Sequence, residues 1–359
     1  MIKNDLTIAG LLSASASTTQ TSTPLPPTIV YSEVHYQDYK FKNGQTLNNL
    51  RLHYATMGTP LCNTVGEIDN AVLVLHWTAN SSAQVLTSEY QETLFAAGKP
   101  LDANKYFLIF PDNIGHGKSS KPSDGLHAHF PQYGYEDIVE IQHRLITETL
   151  GIRQLHAILG MSMGGMNAWQ WAVKYPDAVQ GIMPVVTFPK AITGRNLLWR
   201  TIVISGIRND PSWNGGNYTK QPDNFQYGYL LLRMMIDSVP RIQTLVPDPN
   251  SAEKWIESVK KESTSADANN VLYALESSRD YNPEPGLNTI KAKVFALNVD
   301  DDEFNPNALQ ILQNMIKQVP NGSYHIQKST GTSPGHLIIT RPSLWSNHVR
   351  TFMESLEQI

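Results

Sequence analysis

From Tyr31 onward, short apolar runs alternate with longer stretches of helical periodicity. The segments "YSEVHYQDYKF" and "LNNLRLHYATMG" carry β-type residues on either side of Asn43-Gly44, which predicts an antiparallel hairpin. "NAVLVLHW" (Asn70–Trp77) is a continuous apolar run, as a strand buried on both faces requires. Lys105–Asp112, Leu155–Gly160, Gly181–Val186 and Ala292–Asn298 have the same character, and Gly322–Gln327 is expected to be the last strand. Between them, Tyr135–Gly151 sets Ile138, Ile141, Leu145 and Leu150 on one stripe and ends at glycine. Gly165–Tyr175, Ala308–Val319 and Pro342–Leu356 also read as helices. Such alternation predicts an α/β fold with a mostly parallel sheet and right-handed crossovers.

Residues 187–287 break the rhythm. They hold Trp199, Trp213, Trp255 and the run "LLLRMMI", and read as a mostly helical cap inserted into a core made of residues 31–186 and 288–359. Residues 1–30 stand apart, with Lys3 before a weakly apolar Leu6–Ala16 and a Ser/Thr/Pro-rich stretch after it. They read as a flexible tail, with the protein in the cytoplasm, or as a weak signal segment directing it out.

Composition narrows the classes. With 359 residues, 41% of them hydrophobic, the chain can bury a large core and is not a disordered protein. The balance of 28 basic and 32 acidic residues, net −4 and without a basic block, argues against a nucleic-acid partner. The single cysteine, Cys62, allows no intrachain disulfide and no cysteine metal cluster. No apolar run reaches the roughly 18 residues that span a bilayer.

The chemistry concentrates at Gly160-Met161-Ser162-Met163-Gly164, between an expected strand and an expected helix. That is the setting of a nucleophile elbow, where the serine sits on a strained turn and the glycines make room for strand and helix to pass. A serine hydroxyl needs a base. The order nucleophile, acid, histidine leaves His325, His336 and His348, and only His336 lies in a loop, "TSPGHLII", after the last strand. The acid is expected after "AKVFALN", among Asp300, Asp301, Asp302 and Glu303, and spacing alone does not choose. Oxyanion donors are expected from the backbone N–H of Met163 and of Thr78 or Trp77, with His76 ordering that loop. "GHGKSS" resembles a phosphate loop but has Asp112 where a glycine belongs, and His127 and His129 lack a third metal ligand. No metal and no bound cofactor are expected.

Together these residues resemble the α/β-hydrolase superfamily, in its homoserine O-acetyltransferase-like branch. The resemblance runs from about Tyr31 to the C-terminus through "PDNIGHGKSSKPSDG", "FPQYGYEDIV", "LGMSMGGMNAWQWAVKYPD", "IRNDPSWNGGNY" and "NVDDDEFNP". It implies Asp301 as the acid, with Asp302 second, and a triad of Ser162, Asp301 and His336. Two positions depart from the branch. The arginine six residues before the cap Asp-Pro, which holds the homoserine carboxylate there, is Ile204 here. The aspartate after the catalytic histidine is Leu337. The site implied is therefore more apolar, with Tyr218 and Arg195 as candidate substrate contacts and Arg195, Arg200 or Arg208 as the arginines that could stand in for the missing one. These departures favour hydrolysis of a carboxylic ester through an acyl-serine. The alternative is O-acyl transfer to an alcohol, with acetyl-CoA as co-substrate. A small-ligand-binding protein and a carbon–carbon bond hydrolase are the further alternatives. The partner is a small acyl substrate, and the resemblance implies a homodimer through the cap.

Overall fold

The structure, a computed structural model, describes residues 28–357. The tail-or-signal reading of the N-terminal segment falls on residues outside that range, apart from its last three. Eight strands form one sheet: β1 (Ile29–Lys40), β2 (Thr46–Met57), β3 (Ala71–Leu75), β4 (Phe107–Pro111), β5 (Leu155–Met161), β6 (Val179–Val185), β7 (Lys293–Val299) and β8 (Gly322–Gln327). Their order is β1-β2-β4-β3-β5-β6-β7-β8, and only β2 runs against the others. β1 and β2 form the expected hairpin, with Gly44 at φ 87° in its turn, a conformation that suits glycine.

The central strands β3, β4 and β5 are buried almost throughout because helices cover both faces. One face packs on Trp169 and Trp171 of the helix Met163–Lys174 and on Ile138 and Ile141 of the helix Tyr135–Arg144. The other packs on Leu94, Phe95, Trp345 and the closing helix Ser346–Leu356, through Val349 and Phe352. Parallel strands end at one edge, so the loops after β3, β5, β7 and β8 converge there.

The connection from β6 to β7 is helical among the described residues, with helices Gly194–Arg208, Asp223–Ile236, Val239–Leu245, Pro249–Ser263 and Ala268–Glu276. It lies over that converging edge, where its Trp199 and Tyr229 share a cavity with Ser162. The helix expected over Ala308–Val319 is instead broken. Gln310 takes a left-handed conformation (φ 52°) that cannot propagate a right-handed helix, so only Ile311–Met315 is α-helical. No helix among the described residues is long and apolar enough to cross a membrane.

Candidate active site

Ser162 occupies the turn between β5 and the helix Met163–Lys174, at φ 51° and ψ −115°. The two backbones cross so closely that side chains would collide. A Cβ on Gly160 would lie 2.2 Å from the Gly164 carbonyl oxygen, and one on Gly164 would lie 2.3 Å from that of Leu75. The glycines spaced around the serine thus allow the turn that raises its hydroxyl above the strand edge.

His336 Nε2 lies 2.8 Å from Ser162 Oγ, and His336 Nδ1 lies 2.8 Å from Asp302 Oδ2. A buried carboxylate only accepts, so Nδ1 carries the proton and Nε2 is free to accept from the serine. His336 is reached through Gly335 (φ 61°), and the cap pins this loop from above, as Ser238 Oγ donates to the Ser333 carbonyl at 2.6 Å. The rings of His325 and His348 face each other, 4.5 Å between centroids, away from this chain of bonds.

The structure corrects the choice of acid. Asp302, not Asp301, faces His336. The reason is local: Asp302 Oδ1 accepts the N–H groups of Phe304 at 2.7 Å and Asn305 at 3.1 Å, a turn that directs its carboxylate inward. Asn305 Nδ2 donates to Asp302 Oδ2 at 3.0 Å and to the Val186 carbonyl at 2.9 Å, tying the acid to the end of β6. Burial opposes ionisation of Asp302, but the imidazole of His336 and the Asn305 bonds outweigh it and hold its carboxyl below the ordinary range. Asp301 points elsewhere, and burial pushes its carboxyl up. Asp300 pairs with Lys328 at 3.4 Å, and Glu303 pairs with Arg195. The Phe304 ring packs between the rings of His336 (4.8 Å) and Trp199 (4.9 Å). Asn305 escaped sequence reasoning, although its place in "EFNP" after the acidic run was the available signal.

Met163 opens its helix directly after Ser162, so its N–H has no partner within that helix. Trp77 and Thr78 line the cavity beside Ser162. His76 orders their loop: its Nε2 accepts from the Asn113 N–H at 3.2 Å, so its Nδ1 donates to the Trp77 carbonyl at 2.9 Å. The phosphate-loop resemblance of "GHGKSS" dissolves, because Asp112 occupies the turn, accepting from the N–H of Lys118 at 2.8 Å.

A cavity of about 550 Å³ opens over Ser162 and His336, walled by Trp77, Trp199, Tyr229 and Leu232. Leu337 lines it, but Ile204 packs into the hydrophobic core instead. Neither Arg195 nor Tyr218 reaches the cavity. Arg195 is exposed and bound to Glu303, and Tyr218 donates to Asp267 Oδ2 at 2.7 Å, bracing the start of the helix Ala268–Glu276. Two arginines stand in the cavity wall, Arg233 and Arg200, the latter one helical turn before Ile204.

A family model described as the alpha/beta hydrolase fold matches residues 70–226. The chain is 30% identical over 283 residues to the homoserine O-succinyltransferase of Pseudomonas putida (strain GB-1), covering 74% of this chain and 72% of that one. The crystal structure of homoserine O-acetyltransferase from Bacillus anthracis matches with a TM-score of 0.79 at 25% identity, over 90% of this chain and 97% of that one. An acetylester hydrolase from Corynebacterium glutamicum matches in fold, with a TM-score of 0.77 at 22% identity over 90% and 96%. Sheet, serine elbow and inserted helices define an α/β hydrolase. Within that class, the chain belongs to the homoserine O-acyltransferase-like branch.

Proposed function

We propose that the protein transfers an acyl group from an activated ester or thioester, such as acetyl-CoA, to an alcohol through an acyl-enzyme on Ser162. His336 Nε2 takes the Ser162 proton as Oγ attacks the acyl carbonyl. The N–H groups of Met163 and of Thr78 or Trp77 hold the oxyanion, and the protonated imidazole returns its proton to the leaving group. The acceptor hydroxyl then gives its proton to Nε2 and attacks the acyl carbon, and Nε2 returns the proton to Ser162 Oγ as the acyl–serine bond breaks. The observation that carries this reading is the unbroken series Asp302–His336–Ser162, at 2.8 Å per step, at the base of the covered cavity.

The kinship with homoserine O-acyltransferases weighs the second step toward an alcohol acceptor. Ester hydrolysis is the second reading, and it rests on Ile204 and Leu337 standing where that branch carries charged substrate contacts. Stopped-flow kinetics with p-nitrophenyl acetate test the first step: a burst of p-nitrophenol in the wild type should vanish in Ser162→Ala. Adding alcohols tests the second. Acetylated acceptor in excess of acetate supports transfer, and acetate alone at saturating acceptor supports hydrolysis.

A further inference from the structure

Of the arginines between β6 and β7, Arg195 pairs with Glu303, Arg208 and Arg279 with Glu276, Arg233 with Glu262 and Arg241 with Asp237. Arg200 has no carboxylate within 4 Å among the described residues, yet it is the most buried of them, at 4% exposure. Its Nε donates to Asn196 Oδ1 at 2.9 Å and its Nη1 to Ser278 Oγ at 3.1 Å, both neutral acceptors. The guanidinium carries five N–H donors, so donors remain for a ligand.

Arg200 lines the main cavity and also a narrower one beside it, and both reach Ser162 and His336. Neither cavity is lined by an aspartate or glutamate. The other cations in their walls, Arg233 and Lys190, are already paired, with Glu262 and Glu284. Beside Arg200, the Trp199 ring lies 4.9 Å from its Cζ and the Tyr135 hydroxyl stands within its reach, while Trp199 Nε1, at the main cavity, is buried without a hydrogen-bond partner. Neutral acceptors and an aromatic face offset only part of the cost of burying a guanidinium, which stays high unless a counter-charge completes it. A carboxylate does so best, because its two oxygens match the planar fork.

We propose that Arg200 recognises a carboxylate on a substrate that carries no ammonium group. The absence of any acid from the cavity walls leaves nothing to pair with an ammonium held beside Arg200, so an amino-acid zwitterion is disfavoured against a simple anion. The carboxylate belongs either to the acyl group, as in a dicarboxylic hemiester, or to the acceptor, as in a hydroxycarboxylic acid. This rests on the acyl-serine reading of the site.

Two assays on the full-length chain separate the sources. The acyl arm compares p-nitrophenyl hemisuccinate with p-nitrophenyl pentanoate, a neutral ester of similar length. The acceptor arm follows acetyl transfer from p-nitrophenyl acetate to 4-hydroxybutyrate, homoserine and 1-butanol. In one arm the anion should be preferred over its neutral counterpart by about tenfold or more in kcat/KM, the size of a charge-assisted hydrogen bond. Arg200→Met should abolish that ratio and Arg200→Lys should restore part of it, and a ratio is insensitive to a general loss of folded enzyme. The proposal is overturned by a wild-type ratio near one in both arms, by homoserine outcompeting 4-hydroxybutyrate, or by an Arg200→Met ratio equal to wild type. Should Arg200→Met not fold, an unchanged ratio in Arg200→Gln overturns it equally. A burst with the pentanoate ester but no anion preference removes only this proposal. No burst with any ester removes the acyl-serine reading, and this proposal with it.

Discussion

Asp302 presents Oδ2 to His336 Nδ1 at 2.8 Å, while its neighbour Asp301 makes no contact with the imidazole. One residue of register therefore separates the carboxylate bonded to His336 from one that is not. Replacing Asp302 by Asn keeps the shape but lets an amide donate toward Nδ1, which favours the wrong tautomer. Asp302→Asn should slow acylation by p-nitrophenyl acetate about 10⁴-fold. Asp301→Asn should cost less than about tenfold, as expected of a group outside the hydrogen-bond chain. Burst rates for the two variants side by side decide the matter, and comparable losses would return the role to the acidic run as a whole.

His76 acts one step further from the chemistry. Its bond to the Trp77 carbonyl fixes the loop proposed to carry the second oxyanion donor, and burial disfavours the charged imidazole. His76→Phe fills the space but leaves the Trp77 carbonyl and the Asn113 N–H unpaired. A displacement of the loop by about 1 Å should lower kcat about 100-fold. KM should change little, since the donors act mainly on the transition state. A variant with normal kcat and raised KM would place His76 in substrate binding instead.

Beside it, the ring of His116 lies 5.3 Å from that of His76, and burial pushes its pKa down to about 3. Its Nδ1 donates to the Ile114 carbonyl at 2.9 Å, while its Nε2 is buried without a partner. The unfolded chain protonates this histidine near its ordinary 6.5, whereas the folded chain resists until about 3. Between those values the unfolded state binds more protons, so stability falls as pH falls. The slope is about 1.4 kcal/mol per pH unit for one such group. Urea unfolding of wild type and His116→Phe at pH 7, 6 and 5 should show a shallower pH dependence in the variant. Parallel curves would mean that His116 protonates in the folded state as readily as in the unfolded one.

These residues also mark where the sequence is legible. The central strands could be read because burial on both faces demands uninterrupted apolar runs such as "NAVLVLHW". Ser162 could be read because Gly160 and Gly164 answer a steric need visible in the local string. His336 followed from chain order and its loop. Asp302 could not be separated from Asp301, because the choice depends on a side-chain turn onto the N–H groups of Phe304 and Asn305. Arg200 could not be told from Arg195 and Arg208 for another reason. Its helix is apolar nearly all round, with Leu198 and Ile202 exposed while Val203 and Ile207 are buried, so no stripe revealed which positions face the cavity. The supposed helix over Ala308–Val319 failed at one left-handed residue, Gln310, whose side chain gives no warning of it.

The elbow itself stores strain that can be measured. Ser162 has φ 51° and ψ −115°, a region that L-residues other than glycine enter only at a cost of about 1–3 kcal/mol. Ser162→Ala and Ser162→Gly both remove the hydroxyl bonded to His336, so both should be inactive. They differ in the Cβ, which the alanine keeps in the strained conformation. Glycine relieves that strain but loses about 0.5–1 kcal/mol more backbone entropy on folding. The net expectation is that Ser162→Gly is more stable than Ser162→Ala by about 1 kcal/mol. For a chain of this length that is a rise of about 1–2 °C in Tm. Equal or reversed stabilities in thermal and urea unfolding would mean that the turn is held without strain, and that the left-handed serine is no burden on the fold.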